Sequence, residues 1–218
     1  MTSDLEVKGI VISAAPQGEY GRRISLLTDK LGRITAFAGG AAKAKSKIIG
    51  AVRPMTCAKF SLAKGKDAYN LHSVDVIDSF DELAFDFELS VYAMYVLEAG
   101  EYFSLDGMPE DEAKQLLNLM FVTLKALRDR VLSPELVRII YELRLLVLQG
   151  EYTLMPAFSD NEATVELWQK CISSSLTSLY KRENFEGRDY AEFMDNARLL
   201  YKKQVSHKFK TLKVLEGL

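Results

Sequence analysis

The chain has 218 residues, 48% apolar and 27% charged, a globular composition with room for a substantial core. No stretch approaches 18 uncharged apolar residues, so no membrane-spanning helix is indicated. The opening "MTSDLEVKG" lacks the basic-then-apolar order of a secretory leader and favours the cytoplasm.

The first eighty residues read as short strands. "EVKGIVISAA" is rich in Val and Ile and alternates loosely, "RRISLLT" follows the turn-forming "PQGEYG", and "DKLG" connects tightly into "RITAFAGG". "TCAKFSLAKG" and "AYNLHSVDVIDSF" run near period two on either side of "KGKD". Five such strands with Gly-rich turns predict a small closed or nearly closed barrel.

After the third strand comes "FAGGAAKAKSKIIGAVRP", residues 37–54, expected as a loop or a short irregular helix. Either it is a flexible, solvated loop, or its small residues let a backbone approach another molecule that Lys43, Lys45, Lys47 and Arg53 mark as an anion. Arg22, Arg23, Arg33, Lys59, Lys64 and Lys66 belong to the same barrel. Tyr20, Phe37, Phe60 and Tyr69 either fill its core or offer bases a stacking surface.

From Asp81 the period becomes helical. "DELAFDFELSVYAMYVLEAGEYF" is apolar around most of its circumference after Leu89 and predicts a buried helix. In "MPEDEAKQLLNLMFVTLKALRDR", Pro109 and the acids Glu110, Asp111 and Glu112 suit a helix start. Its residues Leu116, Leu117, Met120, Leu124 and Leu127 recur at helical spacing. "SPELVRIIYELRLLVLQG" carries its own cap, Ser133 before Pro134, and its own stop, Gly150. Further helices are expected over 162–181 and about 188–206. The fold class is therefore α+β, a barrel over residues 1–80 followed by an all-helical domain over 81–218.

Charge divides along the same lines. Residues 1–80 hold 12 Lys and Arg against 7 Asp and Glu, residues 81–200 hold 11 against 22, and residues 201–218 hold 5 against 1. The formal net charge of −2 thus hides two basic ends and an acidic middle.

Nothing in the chain reads as catalytic machinery. The only histidines are His72 and His207, and no HExxH, GxSxG or Walker-type loop occurs. Cys57 and Cys171 stand alone in sequence and read as small buried hydrophobes. We expect no enzyme, no metal and no cofactor. In the helical half Arg138 and Arg144 lie six residues apart, some 120° around the helix. They pair with acids such as Glu135 or Glu142, or they rim an apolar groove that takes a short acidic, hydrophobic peptide.

The order of these pieces resembles the bacterial recombination mediator family RecO: "GIVI", "GEYGRRISLLT", "GRITAFAGGAAKAKSK", "GAVRPMTCAKFSLAKGK" and "LHSVDVIDSF", then "YELRLLVLQGEYTLMP", then "HKFKTLKVL". The resemblance implies an N-terminal OB-fold module and a DNA-binding protein that anneals single strands and also binds duplexes. It implies two partners: RecR, and the acidic, apolar-ended tail of the single-stranded-DNA-binding protein SSB. With RecR, such a protein helps load the recombinase RecA onto SSB-coated DNA. It also implies residence at the bacterial nucleoid. On this reading Arg22, Arg23, Arg33, Lys43, Lys45, Lys47 and Arg53 hold DNA, and Arg138, Tyr141 and Arg144 hold the tail. Many relatives carry paired CxxC motifs after the Gly…Pro segment, whereas "PAFSDNEATVELWQKCISSSLTSLYK" has Cys171 alone, so no thiolate zinc site is expected. Competing readings are an OB-fold adaptor for proteins and an RNA-binding protein.

Overall fold

A computed structural model describes residues 4–39, 48–215 and 217. It divides into two compact units, one made of residues up to 81 with 97–117, the other of 82–96 with 118–218.

The first unit is built on β1 (Leu5–Gln17), β2 (Gly21–Thr28), β3 (Gly32–Ala38), β4 (Cys57–Lys64) and β5 (Tyr69–Asp78). They close in the order β1-β2-β3-β5-β4. All neighbours are antiparallel except β3 and β5, which meet in parallel. The closure follows from alternation. Along β3 the residues Ile34, Ala36 and Ala38 point inward, and Phe60 and Leu62 do so from β4. They meet Val7, Ile24 and Leu26 in a core with no buried acidic or basic residue among the described residues. Phe60 is therefore core, and not a stacking surface. β1 runs two residues further than the sequence pattern placed it, through Pro16 and Gln17.

Half of the basic, glycine-rich segment has a different task from the one its composition suggests. Lys43, Lys45 and Lys47 lie outside the described residues. Ile48 to Thr56 close one end of the barrel: Val52 is wholly buried in the core cluster, with Ile48 packed against it. The amide of Met55 donates to the Val11 carbonyl and that of Val11 to the Thr56 carbonyl, both at 2.9 Å, beside a register shift in β1.

Gly32 is required where it stands. Its φ is +67°, and a Cβ there would lie 2.5 Å from the Leu105 carbonyl oxygen. That closeness lets the segment after the long helix lie along β3, with the Arg33 amide donating to the Leu105 carbonyl at 3.1 Å.

The helices are α1 (Asp81–Ala84), α2 (Phe87–Phe103), α3 (Glu110–Arg128), α4 (Pro134–Gln149), α5 (Glu162–Ser173), α6 (Ala191–Gln204) and α7 (Lys210–Leu215). The helical stretch expected from Asp81 is broken into α1 and α2. The Asp86 carboxylate accepts the Leu89 amide at 3.1 Å and caps a new start. In α4 the Ser133 hydroxyl accepts the Leu136 amide. At its other end Gly150, at φ +73°, lets the Gly150 and Glu151 amides close on the Val147 and Leu146 carbonyls. The helix expected over 162–181 stops at Ser173, because the following serines bond locally: the Ser173 hydroxyl returns to the Gln169 carbonyl, and Ser175 and Ser178 pair with each other. α7 was not legible as a helix. In the second unit α4 packs against both α5 and α6. No helix among the described residues is long and apolar enough to cross a membrane.

Candidate functional site

Among the described residues, two of the concave surfaces that collect charged side chains stand out, one in each unit. On the barrel a groove of about 470 Å³ crosses β1, β2, β3 and the start of β5. Arg23 and Arg33 line it, with Thr35, Ser25 and Tyr69 between them. Alternation along β2 puts Arg22 on the other row from Arg23, at the barrel end. Tyr20, at the tip of the β1–β2 turn, is exposed. The groove is not purely basic, since Asp67, Glu101 and Asp106 also line it. Arg33 donates to the Glu101 carbonyl at 3.2 Å and lies 3.9 Å from its carboxylate. Arg53 sits away from this groove, within the segment that closes the barrel end, and its guanidinium meets the Asp81 carboxylate at 2.7 Å. Arg23 is therefore the exposed cation of the groove with no ion pair among the described residues. Arg33 and Arg53 each have a carboxylate beside them.

The second surface is a groove of about 730 Å³ in the helical unit. Tyr92 of α2, Arg138 of α4, and Arg198 and Lys202 of α6 line it from the helices. Val205, Lys208, Phe209, Leu212 and Lys213 line it from the segment that follows α6. Beneath it lies a polar network. The Tyr95 hydroxyl donates to the Glu142 carboxylate at 2.7 Å, and Arg138 reaches the same oxygen at 2.7 Å. Burial raises the Glu142 carboxyl above its usual value, while Arg138 and the Tyr95 hydroxyl pull it down. Arg198 spans Glu135 at 2.6 Å and Asp195 at 2.8 Å. Lys202, Lys208 and Lys213 have no carboxylate within ion-pair distance among the described residues.

Of the three residues expected to hold a peptide tail, the structure brings only Arg138 to this groove. Tyr141 is wholly buried and its hydroxyl donates to the Val96 carbonyl at 3.0 Å. Arg144 turns toward α5, donating to the Cys171 and Ile172 carbonyls at 3.1 and 2.8 Å, the cation placement a helix C-terminus favours. The lysines that do reach the groove belong to the basic run near the end of the sequence. Their spacing signalled charge but not where the segment folds.

The histidines lie elsewhere. His72 Nδ1 is 3.0 Å from Asp4, which also accepts from the Ser61 hydroxyl at 3.2 Å, and the hydrogen bond from His72 lowers the Asp4 carboxyl. A carboxylate between serine and histidine cannot relay a proton from the one to the other, so this exposed trio does not activate Ser61. Burial pushes the Cys57 and Cys171 thiols up to about 12, and no three His, Cys, Asp or Glu among the described residues gather in a metal-holding cluster.

Comparison with known proteins adds a family to this geometry. Residues 1–80, the barrel, match the family model for the recombination protein O N terminal. A DNA repair protein RecO of Acetivibrio thermocellus is 34% identical over 146 residues, 67% of this chain and 57% of that protein. The chain belongs to the RecO family. A RecO of Dehalococcoides mccartyi strain CBDB1 is likewise 34% identical over 148 residues, 67% of this chain and 56% of the relative. A RecO of Caldicellulosiruptor saccharolyticus matches further along, 25% identical over 177 residues, 81% of this chain and 66% of the relative. The matched chain thus spans under three fifths of the length of the Acetivibrio and Dehalococcoides RecO proteins.

Proposed function

We propose that this chain is a non-enzymatic DNA-binding protein of recombinational repair. The observation that carries the reading is the match of the whole barrel to the RecO N-terminal family, on a five-stranded fold that suits single-stranded nucleic acid. Residues 1–80 serve as the DNA module and 81–218 as the module for protein partners. Lys43, Lys45, Lys47, Arg22 and Arg23 hold phosphates, with Arg33 and Arg53 joining them when DNA competes for their carboxylate partners. Contacts of this kind bind single strands and duplexes without reading bases and leave the bases free to anneal. RecR is the partner for loading RecA, and the work takes place at the bacterial nucleoid.

The helical groove supports the partner half of the reading. An acidic peptide with an apolar end, the chemistry of the SSB tail, finds three lysines without carboxylate partners among the described residues, in one groove with Tyr92, Phe209 and Leu212. Arg138 lines the groove already bound to Glu142, so Lys202, Lys208 and Lys213 are the tail's cations.

The test is binding of a labelled single-stranded oligonucleotide across a salt series. Lys43→Ala/Lys45→Ala/Lys47→Ala is expected to bind more weakly, with a slope of log K against log salt shallower by about two units, at roughly 0.7 per phosphate contact. Unchanged affinity and slope would remove the loop from the DNA track.

A further inference from the structure

Half of the helical groove is built by the segment that follows α6, and that segment is held in an unusual way. α6 ends where the Val205 amide donates to the Tyr201 carbonyl at 2.8 Å. The chain then doubles back and seats Phe209, which is 1% exposed. Its ring meets Tyr95 edge-on at 5.4 Å and stacks on Tyr201 at 6.4 Å. Among the described residues after Val205, Phe209 is the only one fully buried. α7, six residues long, buries none of its side chains. Leu212 and Leu215, its apolar pair, are half-exposed and line the open groove. A helix this short has no independent stability; its order comes from what its apolar side packs against, and here that side faces open volume.

We propose that residues 205–215 form a clamp, pinned at Phe209, that closes on an acidic peptide with an apolar end lying between α7 and the α4–α6 wall. This rests on the peptide-binding reading given above and adds how the site works. Leu212 and Leu215 cover the peptide's apolar side chains, completing the packing that α7 lacks. Lys208 and Lys213, carried on the clamp, and Lys202, fixed on α6, take its carboxylates from opposite sides. Charge complementarity selects the occupant. A second apolar surface would leave three lysines unmet, and a DNA backbone would bring no side chain to fill the space above Phe209. The volume of about 730 Å³ lies within the range of roughly 300–1,000 Å³ common to ligand sites.

The experiment uses the full chain and a fluorescein-labelled peptide of four aspartates followed by phenylalanine and leucine. Affinity is read by anisotropy, and amide hydrogen exchange of residues 206–215 is read with and without saturating peptide. The clamp predicts that peptide slows exchange across 206–215 by tenfold or more. It also predicts that Leu212→Ser/Leu215→Ser, which replaces no fully buried side chain, weakens binding about tenfold while circular dichroism and melting stay unchanged. Phe209→Ala weakens it further. Peptide that binds with exchange in 206–215 unaltered and with full affinity for the double-serine variant overturns the clamp and leaves peptide binding standing. No peptide binding at all overturns the peptide reading itself, and the clamp with it. Protection of 206–215 by an oligonucleotide in place of the peptide would overturn the assignment of the occupant.

Discussion

The barrel and the helical unit solve the problem of charge in opposite ways. Among the described residues the barrel's centre holds no acidic or basic side chain, and two of its arginines are matched near the surface, Arg33 by Glu101 and Arg53 by Asp81. The helical unit seals Glu142 and most of Arg138 among tyrosines and leaves lysines unmatched around a groove. A purely apolar core needs only shape. A buried ion pair needs every partner in place, and the network beneath the groove fixes where α2, α4 and α6 stand relative to one another, which is what a binding surface requires.

That contrast can be broken directly. Glu142→Ala leaves Arg138 and the Tyr95 hydroxyl buried without their shared acceptor, at a cost of about 3–5 kcal/mol in urea unfolding. The paired replacement Arg138→Met/Glu142→Leu is expected to recover most of that loss. A double variant as unstable as Glu142→Ala would mean that packing, and not the charge pair, sets the stability there.

In the barrel the equivalent weak point is backbone and not charge. Gly32→Ala forces a β-carbon toward the Leu105 carbonyl at positive φ and is expected to lower stability by more than about 1 kcal/mol. Exchange protection should fall first at the Arg33 amide. Equal loss of protection throughout β1 and β4 would show that the contact of β3 with the segment at Leu105 is not local.

The smallest effect lies on the helical surface. Arg188 and Lys170 beside Glu166 hold its carboxyl down at about 2, against an ordinary 4.5. A depressed carboxyl adds stability that is present above its unfolded value and lost as pH falls from about 4.5 toward 2. Glu166→Gln is therefore expected to flatten that part of the stability curve. Because the group is exposed, the difference from the parent chain should be slight at neutral pH and shrink further with salt. A loss of equal size at pH 2 and pH 7 would point to the glutamate's packing instead.

These differences also mark what could be read from the sequence. Barrel strands declare themselves because burial alternates within a few residues: Ile34, Ala36 and Ala38 are local facts. The caps of α4 are equally local, with Ser133 and Gly150 adjoining the turns they serve. The charged sites are not local. Tyr95 meets Glu142 across 47 residues, and Arg144 finds carbonyls 27 and 28 residues away. Helical spacing shows that Tyr141 belongs to an apolar stripe, but on a helix with nine buried residues it cannot say which side stays open. The basic run after α6 was visible as charge. Its role in the groove depends on Phe209 reaching Tyr95, a contact over more than a hundred residues.

The closure of the barrel has one more consequence. β2 and β3 are joined over seven residue pairs, whereas β3 and β5 meet over two, Ala36 with Tyr69 and Phe37 with Asn70. Mechanically the barrel is a curled ribbon fastened along a short seam. On this count the seam is expected to part before any hairpin unzips, opening the ribbon between β3 and β5 with its other four joins intact. Tyr69, which packs on the core and lines the groove of Arg23 and Arg33 from the β5 side, is then expected to be the first groove residue to move.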